Sequence, residues 1–357
     1  MKRMLRFAII GAALVVMAIG GIASYAQFRL LAAQTGVNVT FEHKGQTREY
    51  RLHVPESLES GELVPLLVFL HGGGGNARLA SVMGFSKLAD REKFIVVYPN
   101  AIDKHWNDGR DSPMFADQDN KVDDVDFIMQ VVDRVCQKHP IDANQIFAAG
   151  VSNGGFMTQR LAMEKPETFS AIAVCIATMG ESISKRFDPA LPVSVLYLTG
   201  TEDPLVPYDG GPVGNGLGPR LNRVEGNPIA PRGRAIGTDD AVELWVDRNK
   251  TAAEPTVKKL ADKNQEDGSH IEYYQWAGGQ RGTVVGLYKV VGGGHTLPGS
   301  RQYYPVKVIG RPNQDAQGTE LVWDFLIQHP RQHDLARPSA AHTEPAPQTL
   351  APRQRAV

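Results

Sequence analysis

Short, continuous apolar runs separated by amphipathic stretches dictate what this chain can fold into. Pro65–Leu70, Phe94–Tyr98, Ile146–Ala149, Ala171–Ile176 and Val193–Leu198 are too short for buried helices and show no polar alternation. Runs of that kind suit strands covered on both faces. Leu79–Arg91, Asp124–Lys138, Gly155–Lys165 and Asp239–Arg248 carry helical periodicity between or after them. The alternation implies an α/β fold, a mostly parallel central sheet with helices on both faces. Upstream, Val37–Glu42 and Gln46–Val54 alternate as an antiparallel hairpin at the sheet edge would. A last strand, Thr283–Val291, and a last helix, Gln317–His329, stopped by Pro330, close the domain. Asp123 and Asp124 read as N-cap and first-turn acids of the helix over 125–138 rather than as catalytic groups.

The 357 residues, 42% hydrophobic and 22% charged, can fill a large core. We assign residues 37–330 to one domain. A formal net charge of −1 leaves no lysine and arginine excess for a polyanion, so no nucleic-acid partner is expected. Lys2, Arg3 and Arg6 precede an apolar run from Phe7 to Ala26, with Ser24 and Ala26 at cleavage spacing. This predicts an export signal over residues 1–26; the other reading is an uncleaved anchor, the only route to a membrane. Either way the domain would leave the cytoplasm, secreted or periplasmic in a bacterium. Residues 331–357, rich in Pro, Ala and Gln, predict a disordered tail. Cys136 and Cys175 lack metal-ligand spacing and read as two buried thiols, a single bridge being the alternative.

In open parallel sheets ligands bind beyond the carboxyl ends of the strands, so the chemistry is sought there. The strand ending at Ala149 runs into Gly150-Val151-Ser152-Asn153-Gly154 and then a helix. As a bare string G-x-S-x-G is weak, but a strand before it and a helix after it make a turn that presents Ser152 at a helix N-terminus. A serine hydroxyl needs a base, and the base needs a carboxylate. His295 stands among glycines in GGGHTLPG (Gly292–Gly299), directly after the last strand. His270, His329, His333 and His342 open a strand, end a helix or fall in the tail. Asp203 follows the strand end at Leu198 and is the candidate acid, with Glu202 and Asp209 as alternatives. Donors for an oxyanion would be the backbone N–H of Asn153 and that of Gly72 or Gly73, in the glycine run after Leu70. That run lacks the lysine or helix context of a nucleotide-binding loop. Trp106, beyond the strand ending at Tyr98, either stacks on substrate or anchors its own loop.

With these pieces in order, the chain resembles the poly(3-hydroxybutyrate) depolymerase-like branch of the α/β-hydrolases, which includes feruloyl esterases and acetyl xylan esterases of carbohydrate esterase family 1 type. The resemblance runs from about Gly45 to Pro330. It rests on HGGGGNA (His71–Ala77), VVYPN (Val96–Asn100), WNDGR (Trp106–Arg110), VDDVDF (Val122–Phe127), GVSNGGFM (Gly150–Met157), LTGTEDPLVPYDGG (Leu198–Gly211) and GGGHTLPG (Gly292–Gly299). It implies an α/β-hydrolase fold and Ser152, Asp203 and His295 as a triad. Leu297 stands where the family usually has Trp, and a long Gly/Pro/Arg-rich stretch, Pro207–Ile236, is expected to loop over the site.

The expectation is an exported serine esterase working through an acyl-enzyme, without metal or organic cofactor. Its substrates would be feruloyl or acetyl esters of plant polysaccharide or similar soluble esters. A polyester depolymerase or oligomer hydrolase is the alternative, and a binding protein on a dead hydrolase scaffold the non-enzyme reading.

Overall fold

The computed structural model describes residues 35–115, 121–214, 223–224, 227–228 and 232–332. The expected export signal, and the expected tail beyond Gln332, lie outside the described residues. Arg331 does not belong to the tail: its backbone N–H donates to Asn144 O, and its guanidinium to Pro166 O and Phe169 O.

The main sheet is built from β1 (Val37–His43), β2 (Gln46–His53), β3 (Val64–Leu70), β4 (Ile95–Pro99), β5 (Ile141–Val151), β6 (Ala171–Cys175), β7 (Ser194–Gly200), β8 (Thr256–Lys259), β9 (His270–Trp276) and β10 (Val285–Val291). Their order across the sheet is β1-β2-β4-β3-β5-β6-β7-β10-β9-β8. From β4 to β10 every neighbouring pair is parallel. The β1-β2 hairpin joins antiparallel to β4 at one side, and β9-β8 antiparallel to β10 at the other. The helices include α1 (Ala77–Ser81), α2 (Phe85–Glu92), α3 (Asp124–Lys138), α4 (Asn153–Glu164), α5 (Thr238–Asn249) and α6 (Gly318–Gln328), besides the single turns Glu181–Ser184 and Val306–Ile309.

Side-chain alternation explains why apolar runs without polar breaks become strands here. Leu66, Val68 and Leu70 of β3 face one way and join Phe127 of α3, Phe156 of α4 and Trp245 of α5 in one core. Leu67 and Phe69 face the other way and join Phe85 and Leu88 of α2 with Trp323 and Phe325 of α6. Each fully buried side chain of this size contributes about 1.5–3 kcal/mol, so a strand feeding two cores cannot afford a polar position.

The expected elements are present, with adjustments. The single helix expected over 79–91 is two, α1 and α2, because Gly84 takes φ 113° between them. Thr256–Lys259 was not expected to be a strand; its four residues are exposed, so no burial pattern marks it. Asp123 caps α3, its carboxylate accepting the N–H of Asp126 at 3.0 Å. Cys136 lies half-buried on α3 and Cys175 buried at the end of β6, both as thiols.

Candidate active site

The carboxyl ends of β3, β5, β7 and β10 open on one edge of the sheet, and each leads into a segment carrying a candidate residue. At the end of β5 the chain reverses into α4 through Ser152, at φ 54° and ψ −121°. This is a backbone state a non-glycine residue rarely takes and one that surrounding structure must hold. Its amide donates to Cys175 O at 2.9 Å, and its carbonyl starts α4 by accepting from Phe156 N at 3.0 Å. The flanking glycines are obligatory: a Cβ on Gly150 would lie 2.3 Å from Gly154 O, and one on Gly154 would lie 2.3 Å from Leu70 O. Ser152 is half-buried at the top of the elbow.

Asp203 and His295 meet from two different loops. His295 Nδ1 donates to Asp203 Oδ2 at 2.6 Å, and both residues are buried. The other carboxylate oxygen, Oδ1, accepts from Leu205 N at 2.8 Å and Val206 N at 2.9 Å, which fixes the acid in its turn. Glu202 and Asp209, the alternative acids, are exposed. The two loops cross at backbone contact, since a Cβ on Gly200 would lie 2.2 Å from Gly293 O, and a third segment packs on them, a Cβ on Gly294 lying 2.3 Å from Ile309 O. Tyr303 closes the far side, its hydroxyl donating to His295 O at 2.8 Å.

Gly72 and Gly73 lie against the elbow. A Cβ on Gly72 would stand 3.4 Å from Ser152 Cβ, and one on Gly73 would stand 3.6 Å from Asn153 Cβ. His71 shapes this loop. Its Nε2 accepts from Ala101 N at 3.1 Å, so the ring proton sits on Nδ1 and donates to Gly72 O at 2.8 Å. Burial lowers the His71 imidazole to about 4, which keeps it neutral in this role.

Trp106 is fully buried and offers no face to a substrate. Its indole N–H donates to His71 O and its ring packs 5.0 Å from the His71 ring. The stacking expectation for Trp106 is therefore corrected in favour of the loop anchor, because a large ring beneath the glycine run fills space that glycine leaves empty. Leu297 is likewise buried.

Sequence reading missed the network beneath Asn153. The Asn153 side chain spans the Trp106 backbone, accepting from Trp106 N at 2.8 Å and donating to Trp106 O at 3.1 Å. It also donates to Asp108 Oδ2 at 2.6 Å. Asp108 pairs with Arg110 at 2.7 Å, and that guanidinium lies 4.2 Å above the Phe156 ring. Asp124, paired with Arg48 at 2.7 Å, accepts from Asn107 N at 2.9 Å. WNDGR is thus a buried polar bracket for the residue after Ser152, and only the density of polar residues around Trp106 could have signalled it.

A largely parallel sheet of this order, with a strained serine between β5 and α4, is the α/β-hydrolase fold. The Esterase PHB depolymerase family matches residues 48–188. "Putative esterase NocK" of Nocardia uniformis subsp. tsuyamanensis is 30% identical over 286 residues, covering 79% of this chain and 80% of its own. Feruloyl esterase B of Piromyces equi is 27% identical over 70% of this chain and 42% of its own. Poly(3-hydroxyalkanoate) depolymerase C of Paucimonas lemoignei is 32% identical over 34% of this chain and 29% of its own. The chain spans less than half the length of these last two relatives. It belongs to the PHB-depolymerase family of esterases, and it is a carboxylic-ester hydrolase. Among the described residues no helix is long and apolar enough to cross a membrane.

Proposed function

We propose that residues 37–330 form one exported catalytic domain that cleaves carboxylic esters through an acyl-enzyme on Ser152. The observation that carries this reading is the strained Ser152 at the strand end, with Gly72 packed against its Cβ and Gly73 against the Cβ of Asn153. Ser152 Oγ attacks the ester carbonyl while His295 Nε2 takes its proton. Asp203 holds His295 through the 2.6 Å bond to Nδ1, which fixes the tautomer and stabilises the imidazolium. The backbone N–H of Asn153, with that of Gly72 or Gly73, receives the tetrahedral oxyanion. His295 then returns the proton to the departing alcohol, and water repeats the cycle in reverse. The N-terminal apolar segment, Phe7 to Ala26, directs export.

Feruloyl or acetyl esters of plant polysaccharide, or similar soluble esters, are the substrates we favour, supported by the likeness to Piromyces equi feruloyl esterase B across most of the chain. Polyester oligomers are the second reading, favoured by the shorter match to the Paucimonas lemoignei depolymerase. The test is kcat/KM on methyl ferulate, an acetylated xylo-oligosaccharide, a hydroxybutyrate trimer and a short nitrophenyl ester, with Ser152→Ala as the blank. Turnover by Ser152→Ala at the wild-type rate would sink the mechanism. A preference for the trimer would move the assignment to polyester oligomers.

A further inference from the structure

Among the described residues that are not exposed, the charged groups around the elbow are matched with one exception. Asp108 pairs with Arg110, and Asp203 holds His295. Burial lowers His71 and His105 to about 4, so neither adds positive charge near neutral pH. The exception is Arg232. It is half-buried, its Nε is buried without a hydrogen-bond partner, and its guanidinium meets no carboxylate among the described residues. Burial first, and then the neighbouring charge of Arg110, lower its pKa. An arginine held in place next to another cation, with no acid opposite it among the described residues, is costly unless a further anion completes it.

Its placement ties it to both halves of the site. The backbone at Gly233 packs on Arg110, where a Cβ would lie 3.0 Å from Arg110 Cβ and 3.0 Å from Arg110 O. Arg110 leads through Asp108 to the Asn153 side chain, the residue after Ser152. On its other side the Arg232 stem lies against Gly214, where a Cβ would come 2.7 Å from Arg232 Cδ. Gly214 N donates to Leu205 O, and Leu205 N donates to Asp203 Oδ1. Antiparallel pairing of Arg234 with Pro212 and of Ala235 with Gly211, and a bond from Ile236 N to Met179 O, fix this stretch against the segment after β6.

We propose that Arg232 is an anion-recognition residue at the rim of the ester site, and that the preferred substrates carry a free carboxylate near the scissile ester. The planar guanidinium fork matches a carboxylate through two parallel N–H···O bonds, which gives register as well as affinity. Half-esters of dicarboxylic acids and hydroxyacid oligomers with a free acid end have this chemistry. A carboxylate bound there would complete the charge that the described residues leave open, so its desolvation is already part of the folded site.

The inference rests on the acyl-enzyme reading for its kinetic test and is independent of it for its binding test. The kinetic test compares a hydroxybutyrate dimer carrying a free carboxylate with the same dimer as its methyl ester, in wild type, Arg232→Gln and Arg232→Lys. The expected result is a fall of about tenfold or more in the acid-to-methyl-ester ratio of kcat/KM in Arg232→Gln, with partial recovery in Arg232→Lys, since a lysine keeps the charge and loses the fork. An unchanged ratio in Arg232→Gln overturns the proposal, whatever happens to the individual rates. The binding test titrates both dimers into Ser152→Ala and into Ser152→Ala/Arg232→Gln by calorimetry. Tighter binding of the acid, lost with Arg232, supports the site even if Ser152→Ala still hydrolyses and the acyl-enzyme reading fails; equal binding of acid and methyl ester overturns it.

Discussion

The indole N–H of Trp106 donates to the carbonyl of His71 at 2.9 Å, so the largest aromatic side chain near the candidate site holds up the glycine loop from below. Trp106→Phe should lose that bond and leave a buried carbonyl short of a partner, at about 1–3 kcal/mol. Trp106→Ala adds a cavity and should cost about 3–5 kcal/mol. Denaturant titration measures both. An alanine variant with wild-type stability and altered substrate preference would contradict the anchoring role.

Asp203→Asn should lower kcat by about ten-thousandfold with a much smaller change in KM, because an amide opposite Nδ1 stabilises the wrong tautomer of His295. Asp209→Asn should leave kcat near wild type, since that carboxylate is exposed and outside the His295 bond. Steady-state kinetics on a short nitrophenyl ester separate the two. Equal losses would return the choice of acid to Asp209.

Asp108→Asn removes the charge facing Arg110 inside a buried network and should destabilise by about 3–5 kcal/mol. It also loosens the Asn153 side chain, so affinity for a trifluoromethyl ketone, which mimics the oxyanion, should fall together with kcat while KM changes little. A loss of stability with unchanged inhibitor affinity would confine Asp108 to folding.

Burial lowers His71 and His105 to about 4 from an ordinary 6.5. Between those limits the unfolded chain binds protons that the folded chain refuses. The stability these residues contribute is therefore complete above about pH 6.5 and is lost as pH falls towards about 4, by about 3 kcal/mol for His71. Melting temperatures across that interval should fall in wild type and fall less in His71→Gln. Equal slopes for the two proteins would contradict the buried neutral imidazole.

Gly154→Ala should fail to accumulate as folded protein, because its Cβ would meet Leu70 O and His71 O at 2.3 and 2.5 Å, both backbone atoms with no room to retreat. Soluble, active Gly154→Ala would show that the elbow tolerates movement it has no visible space for.

The parallel strands were legible because burial on both faces leaves no ambiguity about which residues are apolar, as at Val68 and Phe69, which enter opposite cores. His295 was legible from the glycines around it after the last strand, whereas Asp203 shared its candidacy with Glu202 and Asp209, which the 2.6 Å bond to His295 separates. Trp106 remained undecided because a tryptophan near a strand end reads the same whether its ring faces ligand or floor. Its full burial and its bond to His71 O, which spans 35 positions, separate these. The Asp108–Arg110–Asn153 bracket was invisible for the same reason, because a hydrogen bond between a loop carboxylate and the first turn of a distant helix leaves no periodic mark. Thr256–Lys259 was missed because an exposed strand with lysines at its end has the composition of a loop.

The crossing of the β7 and β10 loops has a further meaning for how such a site can change over generations. Gly200, Gly294 and Gly310 stand where three peptide segments touch backbone to backbone: a Cβ on Gly200 would strike Gly293 O, one on Gly294 would strike Ile309 O, and one on Gly310 would lie 2.5 Å from Gly294 Cα. No side chain sits between them to absorb a mismatch by taking another rotamer. The segments holding Asp203, His295 and Ile309 therefore form one heritable piece. Transplanting any one of them alone from a distant relative should misplace the other two, whereas the surface stretches around them can diverge freely without disturbing the distance between acid and base.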